Sequence, residues 1–421
     1  MNARQDSLPT QRRHDLDWLR VIAFGILIGY HIGMLYVARW GFHYKSAYTS
    51  TFLENIMLFA NPWRMALLWM ISGIATSYLL DKLRWWDFLG SRTVRLLLPL
   101  AFGVWVIVPP QLFVEMSGKG DFAGTYLEYY RAFFDFQSPV FAEYQSGIWP
   151  HVDVNHLWYL RELWTFTLLL LIALPLLNWL RESPWLLRLL TPFGTASVLF
   201  AAPLILVGIE LAVFPEFGSE GRRKALGLSF FLLGYLVTKQ EPLWEALRRV
   251  RWAAAALGLA AYGLTLAAYH LVWLPATSDP AGMQLSGLVA LNHAMRWWCL
   301  CALFGFALQH LNRPSRLLSY LSPGVYPFYI VHQTLILLLA FYLAPLSLGP
   351  VLEPGIVVFG TIGGCLLIYE VARRIALLRP LLGLKWWSSA EAAQNASAWQ
   401  RRVLAGLAAL IVVPLGLEIL L

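Results

Sequence analysis

The chain has 421 residues, of which 58% are hydrophobic and only 13% charged, with a formal net charge of +8. An ordinary soluble domain carries about 25% charged residues, and no soluble core of this length hides so much apolar surface, which excludes a soluble globular enzyme, a disordered chain and a disulfide scaffold. What remains is an all-α, polytopic helical membrane protein, because the apolar segments are continuous runs of roughly 20 residues and not the alternating ~10-residue strands of a β-barrel.

In chain order the predicted spans are 18–38, 54–79, 93–115, 156–180, 193–213, 225–239, 252–274, 287–310, 323–345, 351–377 and 402–421. Lys and Arg set their orientation, since positive residues stay on the cytoplasmic side. With the N-terminus inside, most of the 32 basic residues fall at cytoplasmic ends and loops, among them Arg12, Arg13, Arg84, Arg248, Arg249, Arg251, Arg373 and Arg374. The run Arg222-Arg223-Lys224 falls on the other side and stands against the rule. Spread over many loops, the positive charge reads as this bias and as anchoring on lipid head groups, not as nucleic-acid binding. The longest outer connection, 116–155, is rich in Tyr, Phe, Gln and Gly and suits a lid or a carbohydrate-facing surface. The stretch 386–400 reads as a cytoplasmic linker. Cys299, Cys301 and Cys365 sit inside apolar runs and read as small core residues.

A charged group in hydrocarbon is costly, so each one inside a span is a functional candidate. The first span carries Arg20 and, eleven positions on, His31. Eleven steps of ~100° come within about 20° of whole turns, so the two share one helix face about 16 Å apart. Alone, Arg20 reads as a snorkelling side chain and His31 as a structural histidine. Together they make an anion anchor at a cytoplasmic entrance and a titratable base near mid-membrane. Arg92 and Arg95 open the third span on one face, level with Arg20, and can clamp a phosphate-rich ligand by bidentate hydrogen bonds. Arg64 in the second span, Arg296 in the eighth and His332 in the ninth fall near mid-depth. The fourth span opens on His156, Trp158, Arg161 and Glu162, with Glu162 a counter-ion for Arg161. Several ionisable groups at one depth suggest a polar cavity; the bland alternative is a structural ion-pair network. Glu370, near the cytoplasmic end of the tenth span, is placed to pair with an entrance arginine. No phosphate loop, GxGxxG, HExxH, CxxC or GxSxG motif occurs, and no metal site is implied.

Four segments in order, Arg20-x10-His31, Trp69-Met70-Ile71-Ser72-Gly73, Arg92-x-x-Arg95 and His156-Leu157-Trp158-Tyr159-Leu160, resemble the acyltransferase-3 family of integral membrane acyltransferases. Three more, Phe59-Ala60-Asn61-Pro62-Trp63-Arg64-Met65, Tyr329-Ile330-Val331-His332-Gln333 and Ile368-Tyr369-Glu370-Val371, are similar to its glucan-succinylating branch. The resemblance implies a ten-span acyltransferase core, assigned to 1–388; 389–421, read as a linker and an additional C-terminal hydrophobic helix, lies outside the resemblance. It implies transfer of a succinyl or acetyl group from cytoplasmic acyl-CoA to a hydroxyl of a periplasmic or extracellular glycan. The setting is the bacterial inner membrane, with the N-terminus cytoplasmic. Acyl-CoA is a substrate, and no metal or permanently bound cofactor is implied; the partners are the acyl donor, the glycan and the bilayer, with a homodimer as a compatible assembly. On this reading Arg20, Arg92 and Arg95 take the anionic end of CoA, and His31 acts as general base or carries the acyl group transiently. Arg64 or Arg296 holds the thioester oxyanion or a donor carboxylate, and His156, Trp158, Glu162, His332 and Glu370 complete the acceptor side. The alternative is a transporter or flippase for an anionic metabolite or lipid-linked sugar, which would use the same charges without chemistry. The absence of an internal repeat and the paired entrance arginines favour the enzyme.

Overall fold

The computed structural model describes residues 12–145, 147, 149–213, 220–276, 282–386 and 406. The eleventh predicted span, Gly406 apart, and nearly all of the 386–400 linker lie outside the described residues. Among the described residues there is no strand, only two isolated bridges, Val37 to Ser50 and Trp149 to Val152. The α-helices in chain order are α1 (His14–Tyr36), α2 (Phe52–Ala60), α3 (Arg64–Leu80), α4 (Trp85–Phe102), α5 (Pro109–Lys119), α6 (Tyr126–Phe133), α7 (Trp158–Ile172), α8 (Leu174–Glu182), α9 (Trp185–Leu190), α10 (Val198–Val213), α11 (Glu220–Val237), α12 (Glu241–Ala268), α13 (Gly282–His310), α14 (Arg316–Leu343), α15 (Gly349–Ala372) and α16 (Leu378–Leu381).

Among the described residues five helices are long and apolar enough to cross a membrane: α1, the continuous Trp85–Lys119, Glu241–Trp273, Arg316–Leu346 and α15. The pair α7–α8 makes a sixth if it is one span, and it is bent by 73°. The sequence predicts an unbroken span over 156–180; Pro175, in the first turn of α8, lacks the N–H that would continue α7. Other predicted spans correspond to shorter or more charged helices such as α3, α10 and α11. Large apolar side chains remain uncovered along α15, with Val351 83% and Phe359 76% exposed, as a lipid-facing helix requires.

The chain forms two compact units. One comprises Met1–Ala23, Pro184–Pro215 and Lys239–Ser322. Its centre is the antiparallel pair α12 and α13, where a Cβ on Gly305 would come 2.4 Å from the Leu247 carbonyl oxygen. Trp297 and Trp298 donate their indole N–H groups to the carbonyls of Val198 and Leu199, each at 2.8 Å, fastening the start of α10. Cys299 and Cys301 are buried free thiols here, as core residues should be, and Cys365 is the same in the other unit.

The second unit comprises Phe24–Ser183, Glu216–Thr238 and Pro323–Leu421. Helices α3 and α11 pack so closely that a Cβ on Gly73 would lie 1.9 Å from the Phe231 oxygen, which explains the glycine of the Ile-Ser-Gly motif. Gly227 meets the Trp69 indole at one end. At the other, Tyr235 lies under the Arg181 guanidinium, which bonds Ser77. The two helices therefore run in the same direction. A π-helical stretch, Gly103–Ile107, joins α4 to α5 and frees backbone carbonyls for side chains. Trp105 accepts from the Tyr130 hydroxyl at 2.7 Å, and Ile107 from Thr334 at 2.6 Å. The 116–155 connection is a packed aromatic layer: Tyr129, Phe133 and Phe141 are buried, and the His151 ring stacks 3.9 Å from Phe141. At its edge Tyr144 donates to Asp121 at 2.5 Å, and burial followed by that carboxylate pushes the phenol pKa up to about 12.

Candidate functional site

In the second unit α1 and α14 bring His31 and His332 together. Their rings stack, with centroids 5.0 Å apart and planes 9° from parallel, and His31 Nδ1 lies 2.8 Å from His332 Nε2. His332 is fully buried, whereas His31 keeps partial exposure. Donor accounting fixes the protons for two neutral rings. His332 Nδ1 sits 2.7 Å from the Tyr329 carbonyl and 3.2 Å from that of Phe328. A carbonyl only accepts, so Nδ1 of His332 carries the proton and Nε2 the lone pair. His31 Nδ1 must then donate to that lone pair, which leaves Nε2 of His31 as the basic nitrogen. That nitrogen makes no hydrogen bond among the described residues.

A saturated polar network braces this pair. His156 donates from Nε2 to the Ile330 carbonyl at 2.9 Å and accepts at Nδ1 from Gln111 at 3.2 Å. Gln111 also donates to Thr334 at 2.7 Å. Gln333 donates to Gln111 at 3.1 Å and to Asn155 at 2.9 Å. Tyr329 donates to the His156 carbonyl at 2.5 Å. Asn155 holds a left-handed backbone, φ 45°, one of the few side chains that tolerate it. Both nitrogens of His156 are thus committed, and its part is to hold α7 against α14. Tyr159 bonds Ser72 at 2.8 Å and donates to the Leu68 carbonyl at 3.1 Å, tying the His-Leu-Trp-Tyr-Leu and Ile-Ser-Gly motifs together.

Arg64 lies against Tyr30, the residue before His31. Its guanidinium sits over the Tyr30 ring at 3.5 Å and donates to Asn61 Oδ1 at 2.7 Å, within electrostatic range of His31. Its Nε is enclosed and makes no hydrogen bond among the described residues. The Lys45 ammonium closes the end of α1 by donating to the Met34 and Val37 carbonyls at 2.6 and 2.7 Å. Burial lowers its pKa, with Glu54 acting in the opposite sense.

The other end of α3 carries a second basic place. Arg92 reaches Thr76 at only 3.4 Å, and its enclosed Nε is without a hydrogen bond among the described residues. Arg95 is exposed, and its carbonyl accepts from the Tyr326 hydroxyl at 2.8 Å. Thr76 and Arg64 are twelve residues apart on one helix, about 18 Å along its axis.

The remaining predicted residues fall elsewhere. Arg20 belongs to the first unit, where it donates to Ser322 at 2.5 Å and pairs with Asp17 at 3.3 Å. Arg296 is in that unit too, in a buried triad: it donates to His293 Nδ1 at 2.7 Å, and His293 Nε2 meets Glu210 at 2.6 Å. It also bonds Asn292. The imidazole thus stands between the Arg296 guanidinium and the Glu210 carboxylate. Glu370 pairs with Arg373 at 3.2 Å and Arg374 at 2.9 Å, where the sequence suggested an entrance arginine; these partners lie one turn along the same chain. Glu162 does lie beside Arg161, at 3.4 Å, and Trp158 lies under Arg223. Among the described residues no group of three or more His, Cys, Asp or Glu is arranged to hold a metal ion. Sequence reasoning missed Tyr30, Thr76, Gln111, Asn155, Gln333 and Thr334, uncharged groups that no costly-charge criterion selects; the Asn155-His156 and His332-Gln333-Thr334 adjacencies were their one signal.

A family model described as an acyltransferase domain, acyltransferase-3, matches residues 13–370. The glucans biosynthesis protein C of Escherichia coli K12 is 25% identical over 403 residues, covering 90% of this chain and 96% of the relative. The protein of that name from Escherichia coli O139:H28 matches with the same identity and coverage. No solved structure matches the chain.

Proposed function

The chain belongs to the acyltransferase-3 family, and on that premise we propose that it moves an acyl group, succinyl or acetyl, from cytoplasmic acyl-CoA to a hydroxyl of a periplasmic glycan. The observation that carries this reading is the His31–His332 pair. It leaves an imidazole lone pair at Nε2 of His31, aimed away from its own brace and free to take a proton. The acceptor hydroxyl gives its proton to that nitrogen while its oxygen attacks the thioester carbonyl. The tetrahedral intermediate collapses, the C–S bond breaks, and the CoA sulfur leaves with the proton from Nε2. His332 keeps the ring oriented throughout, and the Arg64 guanidinium, with an enclosed N–H still unbonded, stabilises the oxyanion or holds the free carboxylate of a succinyl donor.

Arg92 and Arg95 take the phosphates of CoA at the other end of α3 from Arg64. The ~18 Å between Thr76 and Arg64 is on the scale of an extended pantetheine arm, so a donor docked at Arg92 delivers its thioester near His31. The acceptor class follows the name of the relatives, a glucan. Charge bias supports the inner membrane and a cytoplasmic N-terminus.

The test uses the full chain in lipid nanodiscs with succinyl-CoA or acetyl-CoA and a glucan acceptor. Release of free CoA and the mass increase of the glucan are followed together. His31→Ala should insert and fold yet show no acyl transfer. Turnover of the variant near the wild-type rate removes His31 from the chemistry, and a wild-type protein that releases no CoA leaves the transporter reading in its place.

A further inference from the structure

The run Arg222-Arg223-Lys224 defies the charge bias of the chain, and acyl transfer as described makes no use of it. In the second unit it opens α11 beside the start of α7. Lys224 Nζ lies 3.0 Å from Glu220 and 3.9 Å from Glu162; Arg161 lies 3.4 Å from Glu162 and 3.9 Å from Glu220. Arg223 is 3.5 Å from Glu220, and its guanidinium rests over the Trp158 ring at 4.2 Å. Among the described ion pairs, Arg161, Arg223 and Lys224 thus share Glu162 and Glu220, three cations on two carboxylates. The one buried carboxylate, Glu162, is 5% exposed and already shared between Arg161 and Lys224. The Arg223 and Lys224 side chains keep 41% and 44% exposure.

A purely structural ion-pair network has no need of such a surplus. Trp158 covers one face of the Arg223 guanidinium and orients it, turning the N–H edge to a pair of oxygens of a carboxylate or phosphate. The first N–H groups of α11 add to the same positive potential. Trp158 stands two residues from His156, whose ring lies 5.2 Å from that of His332. Because α11 runs parallel to α3, its basic start is at the Arg64 end of the unit, opposite Arg92 and Thr76. An anion held here is not the phosphate end of a donor docked at Arg92; it belongs to the other substrate.

We propose that Arg161, Arg223 and Lys224, floored by Trp158, form an anion subsite that holds a phosphate or carboxylate group carried by the acceptor glycan. The inference rests on the acyl-transfer reading and narrows its acceptor to an anionic glycan.

Inorganic pyrophosphate is the probe, titrated by calorimetry into the full chain in phosphatidylcholine nanodiscs, with saturating CoA present to fill the donor end. Saturable binding is expected, weakened roughly 10-fold or more in Arg223→Gln/Lys224→Gln because two charge-assisted contacts are lost. His31→Ala should retain all of the binding, and Arg223→Lys, which keeps the charge but loses the N–H edge held over Trp158, should fall between wild type and the double variant. No saturable binding, or equal binding by the double Gln variant, overturns the subsite. Loss of pyrophosphate binding in nanodiscs containing phosphatidylglycerol assigns the place to a lipid head group and overturns the acceptor assignment. CoA release measured on the same preparation separates the two readings. Residue-dependent pyrophosphate binding by a protein that transfers no acyl group leaves the subsite standing and sinks the enzyme.

Discussion

Replacing His332 by phenylalanine removes one hydrogen-bond acceptor while keeping a stacked ring in a fully buried place. His31 Nδ1 then has no lone pair to donate to, since the acceptor 2.8 Å away is gone. A buried donor without a partner costs about 1–3 kcal/mol. The ring escapes that cost by moving its proton to Nε2, which erases the base. Holding the reactive tautomer requires the same 1–3 kcal/mol, so kcat should fall roughly 5- to 150-fold at 1.36 kcal/mol per decade. KM for acyl-CoA should stay where it is, because His332 touches neither Arg92 nor Arg95. His332→Gln should recover most of the loss: its amide oxygen can accept from His31 and its NH2 can donate to the Tyr329 carbonyl, as Nδ1 now does. The assay is steady-state CoA release in nanodiscs, on variants whose thermal unfolding matches wild type. A Phe variant with wild-type kcat, or a Gln variant no better than Phe, would refute the tautomer argument.

Arg92→Ala should weaken CoA binding by about 1.5–3 kcal/mol, or roughly 10- to 150-fold in Kd, the scale of a lost charged hydrogen bond. Calorimetry with CoA and with CoA lacking its ribose phosphate checks it, and unchanged binding of both would move the donor elsewhere. Gly73→Ala should lower stability by about 1–3 kcal/mol through overpacking, since its Cβ would meet the Phe231 oxygen at 1.9 Å. Thermal unfolding in detergent reads it, with Gly29→Ala, whose Cβ meets nothing within 4 Å, as the silent control.

The helical, membrane-spanning class was legible because it rests on composition and on the length of apolar runs, both one-dimensional quantities. Depth is one-dimensional too, and there the reading of the site divides. Counting residues from a span end brought His31, Arg64, His332 and Arg296 to one level. The fold gathers the first three in one unit and gives Arg296 to the other, where His293 and Glu210 occupy it. Depth cannot separate two polar centres at the same height. The bend at Pro175 was readable from the proline itself, yet hydropathy summed across it gave one continuous span.

Charge criteria find the groups that are costly to bury and overlook those that make the burial possible. Gln111, Asn155, Gln333 and Thr334 carry no charge, but without them His156 would leave its Nδ1 unbonded and α7 would lose its hold on α14. The role of His332 is hidden for a further reason. Its function depends on which ring nitrogen is protonated, and a backbone carbonyl one turn back decides that. A sequence specifies that a carbonyl exists at Tyr329, as at every residue, but not that an imidazole turns toward it. The basic run at 222–224 shows the converse. The charge rule marked it as out of place but says nothing of what lies beside it; the parallel course of α11 and α3 brings it to the Arg64 end of the unit, where, on the acyl-transfer reading, a second substrate enters if the first comes from Arg92.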